Sequence, residues 1–395
     1  MPRLSTLQVT YLRNLNAVDI HFSDHINIIH GANGSGKTSL LEAMSVLAHG
    51  RSFRTRKYRN LIHREKDQFV VFGRIDHGAG DGGRQSTIGV SRNRQGASRI
   101  KLDGATVNTA HELAQNLPLL CVNSTSFNLL EGGPIERRMF FDWLVFHVKH
   151  EFGDLWKQYT KCIKQRNSLL RRDNIRYSDL QPWDTEIAKL AVTIENMRAA
   201  FLPVFSQYIN EYLTQCDLAD AVFDVSYSNG WLVGERSTSW ECSVKQVESL
   251  LFSRFEKDKS QGFTTIGSHK SDLKMTVSGK PAGEILSRGQ QKVLIMALFF
   301  AKAHVFKAET GMLPVLLLDD LPAELDQTHL TLLGQWLHEL NVQVFISSVE
   351  SEPLLSAWQN LKLNTPRMFH VKHGEVFYSE EIDENKNIST DLKVN

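Results

Sequence analysis

Cysteine is scarce in this chain and scattered: Cys121, Cys162, Cys216 and Cys242 are the four thiols among 395 residues, and none forms a C-x-x-C pair. Such spacing argues against metal ligands or a disulfide framework and reads as reduced thiols of a cytosolic protein. An excess of one charge is equally missing. Lys and Arg number 45 against 44 Asp and Glu, a formal net charge of +1, so any nucleic-acid contact has to come from local basic patches. Long apolar runs are also lacking. The longest, Val293 to Ala301, is too short to span a bilayer, and the N-terminus has no signal-peptide pattern, so a soluble, cytoplasmic protein is expected. No heptad is sustained long enough for an extended coiled coil. No carboxylate cluster suggests a second metal site, and too little chain follows Asp326 for an extra nuclease domain. What is present in quantity is core material: 42% of residues are hydrophobic, enough for two or three lobes.

One stretch carries most of the information. Gly31-Ala32-Asn33-Gly34-Ser35-Gly36-Lys37-Thr38 follows the apolar run Ile26 to Ile29 and satisfies G-x-x-x-x-G-K-[ST] in the strand-to-helix context that motif requires. Its glycines let successive N–H groups face one anion, Lys37 adds a cation near the β/γ-phosphates, and Thr38 offers a hydroxyl to Mg²⁺. The helix after it aims its positive end at the phosphates. Leu40, Leu41, Met44, Leu47 and Ala48 supply an apolar face for that helix, and Gly50 is placed to close it in a left-handed conformation.

Around this loop the chain reads as an α/β protein. Two half-buried strands precede it, with Leu7, Val9, Tyr11 and then Val18, Ile20, Phe22 alternating with polar neighbours. Strand-like runs follow at Phe69 to Ile75, Thr87 to Val90 and Arg99 to Leu102, interrupted by the Gly-rich stretch Gly78 to Gly83, read as a mobile hairpin loop. From Glu151 to Leu213 apolar residues recur at helical spacing. This predicts two long antiparallel helices, a turn over Arg171 to Asp184 containing Pro182, and a kink at Pro203. Another strand is expected near Phe223 to Tyr227. The domain layout this implies is an N-terminal ATPase part over 1–122, a helical lobe with its arm over 123–262, a C-terminal part completing the head over 263–378 and a disordered tail over 379–395.

Three further motifs come in order. In Leu286-Ser287-Arg288-Gly289-Gln290-Gln291-Lys292, Ser287 and Gln290 fit a capping box for the apolar helix Val293 to Ala303; the same geometry aims a hydroxyl, the Gly289 N–H and a helix N-terminus at an anion. In Pro314 to Asp320 a buried strand ends in two carboxylates. Either they are merely its polar end, or Asp319 holds the Mg²⁺ shell while Asp320 polarises the attacking water. In Ala323-Glu324-Leu325-Asp326, Asp326 fits the cap of a helix beginning at Gln327.

Taken in order, these residues resemble the ABC-type ATPases, in which a signature related to Leu-Ser-Gly-Gly-Gln, an acidic strand end and a D-loop follow the phosphate loop. The resemblance narrows to the bacterial RecF family through Leu12 to Leu15, Gly50 to Thr55, Leu130 to Pro134 with Arg137 and Arg138, Phe141 to Trp143, the signature, and Met368 to Val371 with His373 to Glu375. It spans roughly residues 1 to 378. It implies an SMC-like ABC-type ATPase head, α/β with a mixed sheet, an inserted helical lobe and a short antiparallel helical arm. It also implies a homodimer formed on ATP that binds gapped or junction DNA and promotes RecA loading with RecO and RecR, supporting the SOS response. In such a dimer Ser287, Gly289 and Gln290 act in trans on ATP held by Gly31 to Thr38, with Asp326 and Arg13 also at the nucleotide.

The resemblance has gaps. The usual lobe-linking Gln is absent, Asn123 to Phe127 offering only Thr125 or a serine; the histidine expected after the next strand is replaced by Ser347 and Ser348; and Asp320 is one methylene shorter than the usual Glu. All three point to slow hydrolysis, with ATP serving as a switch. A transport ATPase subunit would keep the Gln and the His and lack the arm, whereas a scaffold ATPase is closer. For DNA, the densest basic run is Arg51, Arg54, Arg56, Lys57, Arg59, Arg64 and Lys66, suited to sequence-independent phosphate contacts. Arg92, Arg94, Arg99 and Lys101 make a weaker set. The cations of the arm, Lys157 to Arg172 with Arg166 among them, read as a solvated helix face.

Overall fold

A computed structural model describes residues 1–78, 83–107, 110–216, 218, 222–231, 243–320, 325–379 and 392–393. The expected mobility of the Gly-rich loop, the state of Cys242, the first two residues of the D-loop and most of the tail lie outside the described residues. Where the tail is described, Ser379 and Leu392–Lys393 stand in paired strands and not in the disorder expected of 379–395, because backbone pairing holds them, Ser379 with Met368 and Leu392–Lys393 with Tyr378 and Phe377. The chain divides into two compact units, one of residues 1–126 and 306–395 and the other of residues 127–305.

The first unit is built around helix Lys37–His49 and two sheets. One sheet is antiparallel and six-stranded, in the order Leu15–His21, Arg3–Leu12, Gln68–Asp76, Gln85–Asn93, Ser98–Leu102, Ala105–Val107. Its inward positions alternate as the sequence does: Leu7 and Val9, Val18 and Ile20, and Ile88 and Val90 are buried. The other sheet is mixed and seven-stranded: Leu392–Lys393, Glu375–Ser379, Arg367–Lys372, Ile26–His30, Val344–Ser348, Val315–Leu318, Leu119–Val122. From Arg367–Lys372 to Leu119–Val122 its strands run parallel. Val315–Leu318 is apolar and buried throughout, and Val344–Ser348 is buried along its whole length, as strands covered on both faces are.

One cluster of buried side chains takes in both sheets and the helix: Leu4, Leu7 and Val71 with Leu40, Met44 and Leu47, and Phe345 with Phe369. The helix is therefore enclosed. Ala43, Val46, Glu42 and Ser45 are buried along with the apolar face legible in the sequence. Gly50 ends it at φ 66°, its N–H on the Val46 carbonyl.

The second unit is mainly helical. Helices Phe152–Leu170 and Tyr177–Leu213 pack side by side and are joined by only 171–176. The expected turn over Arg171 to Asp184 is thus too long, because the helix starts early. The Asp179 carboxylate accepts the Arg176 N–H at 3.0 Å, and that start carries Pro182 and Pro203 inside one continuous helix. Arg166, read from sequence as solvated, is fully buried. Its Nε meets Asp184 at 2.7 Å and its Nη1 meets Asp258 at 2.6 Å and the Thr264 hydroxyl at 3.0 Å. A charge can be buried when carboxylates surround it, and sequence spacing cannot reveal partners 92 residues away.

A second buried arginine, Arg198, ties more of this unit together. It grips Asp142 through two bonds of 2.8 Å, pairs with Glu195 at 2.9 Å, and donates to the Ser268 carbonyl at 3.1 Å. Arg137 holds Asp272 at 2.7 and 3.0 Å. The loop between Gly262 and Asp272 is thereby fastened to three helices. No helix among the described residues is long and apolar enough to cross a membrane.

His269 in that loop donates from Nε2 to the Thr264 carbonyl at 3.3 Å and accepts at Nδ1 from the Tyr159 hydroxyl at 3.0 Å. Burial lowers its pKa from 6.5 to about 4, so the neutral ring is the folded form. The unfolded chain then binds the extra proton first, and stability is lost as pH falls from 6.5 towards 4. Chemical denaturation at a series of pH values should show wild type losing about 1.4 kcal/mol per pH unit across that window relative to His269→Gln. Parallel curves for the two proteins would contradict the buried neutral ring.

Candidate functional site

Three adjacent parallel strands deliver the site at their carboxyl ends, where open α/β sheets bind ligands. Strand Ile26–His30 runs into the phosphate loop, Val344–Ser348 ends in two serines, and Val315–Leu318 ends at Asp319. Gly31 has φ 146°, and a Cβ there would lie 2.3 Å from the Val371 carbonyl oxygen, so only glycine permits this approach. The crown of the loop, Ala32, Asn33 and Gly34, is exposed, while Ser35, Gly36 and Lys37 are buried. Lys37 Nζ donates to the Gly31 and Ala32 carbonyls at 2.8 and 3.2 Å, across the mouth of the loop. Ser35 Oγ is buried without a hydrogen-bond partner among the described residues.

Thr38, Asp319, Asp320 and Ser347 form one hydrogen-bonded group. Thr38 Oγ1 donates to Asp319 Oδ1 at 3.0 Å, Ser347 Oγ donates to the same oxygen at 2.8 Å, and the Asp320 N–H donates to Ser347 Oγ at 2.9 Å. Asp319 is buried and Asp320 exposed, with φ 55°. Burial raises the Asp319 pKa, Ser347 and Thr38 lower it, Asp320 raises it, and the Arg54 guanidinium lowers it. The two adjacent carboxylates therefore occupy different environments. Ser347 stands between them, a role that the missing histidine had hidden in the sequence.

Other supports are visible only in three dimensions. Asn14 Nδ2 donates to the Ser35 carbonyl at 3.0 Å, and its Oδ1 accepts from Ser39 Oγ at 2.8 Å. On the far side the Gly374 N–H donates to the Ser35 carbonyl at 2.8 Å. A Cβ on Gly374 would sit 2.1 Å from the Asn14 carbonyl oxygen. The loop is thus clamped between the Arg13-Asn14 corner and the His373-Gly374 turn, both part of the motifs singled out in the sequence.

Thr125, a candidate for the missing lobe-linking residue, turns its hydroxyl to Asn123 Oδ1 at 2.7 Å. Asn123 itself follows Val122, which pairs with Leu318, and so stands beside Asp319. Asp326 caps helix Gln327–Leu340, accepting the His329 N–H at 2.9 Å, a bond that holds its carboxyl below the usual range.

Arg13 has φ 58° and is committed to protein partners: Nε and Nη2 bind Glu42 at 2.9 and 2.8 Å, and Nη1 binds the Asn60 carbonyl at 2.8 Å. Beside it opens a cleft of about 880 Å³, lined among others by Asn14, Ser39, Glu42, Arg54, Arg59 and His63. Of the basic run, Arg54, Arg59 and Arg64 line this cleft, and all three are exposed, as are Arg51, Arg56 and Lys57. Two members of the second basic set do structural work, while Arg99 and Lys101 are exposed. Arg94 binds the carbonyls of His63, Arg64 and Lys66, and Arg92 lies over the Tyr58 ring at 4.3 Å.

In the second unit, Ser287 and Gln290 make the capping box, with bonds of 3.1 and 3.3 Å, opening helix Arg288–Thr310. Ser287, Arg288 and Gly289 are exposed, and Arg288 pairs with Glu131. A Cβ on Gly289 would meet nothing closer than Ser287 Oγ at 4.0 Å. Packing within this chain does not require glycine there.

Comparison with known proteins agrees with this architecture. Residues 3–371 match the family model of the RecF/RecN/SMC N-terminal domain. The DNA replication and repair protein RecF of Saccharophagus degradans is 49% identical over 96% of this chain and 100% of its own length. That of Teredinibacter turnerae is 46% identical over 97% and 98%. Among solved structures, the recombination mediator protein RecF with ATP, of the RecFOR pathway, superposes with a TM-score of 0.83 at 23% identity, covering 96% of this chain and 98% of that one. A Smc head bound to the winged-helix domain of ScpA gives 0.57 at 15%, covering 98% and 99%. The fold is that of an ABC-type ATPase head, and the chain belongs to the RecF family of DNA replication and repair proteins.

Proposed function

We propose that this chain is an ATP-driven switch of recombinational repair: it binds ATP in the loop from Gly31 to Thr38, dimerises on it, engages gapped or junction DNA, and hydrolyses ATP slowly to reset. The observation that carries the reading is the hydrogen-bonded group of Thr38, Asp319, Ser347 and Asp320 at the mouth of the loop. Buried Ser35 Oγ and the inward-turned Lys37 Nζ are donors suited to a polyphosphate. Thr38 Oγ1 and Asp319 Oδ1, hard oxygens 3.0 Å apart, fit Mg²⁺, which when bound neutralises β- and γ-phosphate charge.

Exposed Asp320 is free to orient or deprotonate the attacking water, with Ser347 fixing its backbone. Ser287, Gly289 and Gln290 then act on the nucleotide of a second copy. The open space over Gly289 supports this, since a glycine unneeded at home suits close approach by another molecule. Asp326 serves the same interface, and Arg13 the nucleotide once released from Glu42. Arg51, Arg56 and Lys57 contact DNA phosphates. Family relatives named for DNA replication and repair, and a RecF of the RecFOR pathway solved with ATP, support a cytoplasmic role with RecO and RecR in loading RecA and supporting the SOS response.

Asp320→Asn should retain ATP binding and the dimer while phosphate release slows by about 10²- to 10⁴-fold, so that dimers persist after a chelator is added. Wild-type turnover, or failure to dimerise, would refute the separate duties of the two carboxylates. Ser287→Arg should leave nucleotide affinity of the protomer intact and abolish ATP-dependent dimers in light scattering. An equal loss of nucleotide affinity would mean that the signature acts in cis. Reversing the charge of Arg51, Arg56 and Lys57 should weaken DNA binding alike for unrelated sequences and flatten the log–log salt slope by about 2 to 3. An unchanged slope would make the segment a solvated face only.

A further inference from the structure

Glu42 lies on the helix that begins at Lys37, is 1% exposed, and is shared by two donors from different parts of the chain. Arg13 takes both of its oxygens. Ser52 Oγ donates to Oε1 and at the same time accepts the N–H groups of Arg54 at 2.9 Å and Thr55 at 3.2 Å. Ser52 is thus the pin of the turn that carries the basic run, and Glu42 is the anchor of that pin. A second strap runs parallel, Ser45 Oγ to the Arg51 carbonyl at 3.0 Å. The cleft between these parts is lined by Ser39 and Glu42 on the helix, Arg13 and Asn14 at its corner, and Arg54 and Arg59 on the basic run.

We propose that Glu42 and Ser52 couple the nucleotide to DNA within one protomer, Glu42 acting as a positioning residue that trades Arg13 for Ser52. This rests on the reading above that the loop takes ATP and the basic run takes DNA phosphates. The sign follows from the chemistry of a buried carboxylate. A polyphosphate entering beside Ser39 competes with Glu42 for the Arg13 guanidinium. Glu42, still buried, must then satisfy its charge from its remaining donor, because an unpaired buried carboxylate is costly. Its hold on the Ser52 hydroxyl tightens, and with it the turn at Arg54 and Thr55, so the neighbouring cations are held in one arrangement. An ordered basic turn loses less entropy on meeting a phosphate backbone. Nucleotide and DNA therefore favour each other, and by linkage each must raise affinity for the other by the same factor.

The test uses the full chain carrying Ser287→Arg, so that dimerisation cannot supply the cooperativity. Anisotropy of a fluorescein-labelled gapped duplex is titrated with and without AMP-PNP and Mg²⁺, and nucleotide affinity is measured with and without the duplex. In this background the nucleotide should tighten DNA binding by about 5-fold or more, the lower end of ordinary coupling. Adding Ser52→Ala should reduce that factor to about 2-fold or less, with nucleotide-free DNA affinity unchanged and nucleotide affinity weakened, because Glu42 then has no donor left once Arg13 is taken. A purely structural role for Ser52 would weaken DNA binding equally in both states and leave the factor intact, which would overturn the proposal. So would the absence of any coupling in the Ser287→Arg background. If Ser52→Ala does not fold, Glu42→Gln should likewise reduce the factor to about 2-fold or less, since it keeps an acceptor for Ser52 while removing the charge that makes the trade necessary; nucleotide affinity should then rise, because Arg13 is no longer held by a carboxylate. Failure of the underlying reading looks different: no AMP-PNP binding, or DNA affinity indifferent to charge reversal at Arg51, Arg56 and Lys57.

Discussion

Enclosure of the helix Lys37–His49 is the constraint on which the nucleotide-binding half of this molecule depends. A helix that merely lay on a sheet could rock, and the loop at its start would rock with it. Here side chains from both sheets pack around it, and even its carboxylate Glu42 and hydroxyl Ser45 are put to use holding the segment that follows. Close packing transmits displacement. The position of Lys37 and Thr38 is therefore set by two sheets at once, and the strands that carry Ser347 and Asp319 belong to one of them.

The helical unit is fixed differently, by buried charges. Arg166 and Arg198 are each bonded to residues far apart in sequence, and each reaches the loop between Gly262 and Asp272, Arg166 at Thr264 and Arg198 at Ser268 and Ser271. Apolar packing tolerates a range of neighbours, whereas a guanidinium fork accepts few geometries. The loop is held by such forks on several sides, which fixes the arrangement of three helices more narrowly than apolar contact would.

What could be read from the sequence was whatever depends on neighbours along the chain. The phosphate loop, the Gly50 cap, the Ser287–Gln290 box and the Asp326 cap are all local in their physics, and each appears where the spacing puts it. Asn14, Gly374 and Ser347 lay within segments singled out in the sequence, but their roles, like that of Glu42, were hidden because they depend on residues brought close by the fold. Arg166 was misread for a related reason: its charge suggested water until its carboxylates were located. Pro182 misled in the opposite direction. A local rule against proline in helices was outweighed by the Asp179 bond at the start of the helix and by packing along its length.

The clamp on the phosphate loop draws its two jaws from distant parts of the chain. One is the Arg13-Asn14 corner, which precedes the loop in the chain; the other is the His373-Gly374 turn, far downstream of it, with the Val371 carbonyl against Gly31. Strands Val315–Leu318 and Val344–Ser348, which bring the acidic pair and its serine, also emerge late. At about 5–20 residues per second, a nascent chain spends tens of seconds with its loop made but its walls missing. A nascent fragment that lacks the later strands therefore has a phosphate loop without the walls that position it.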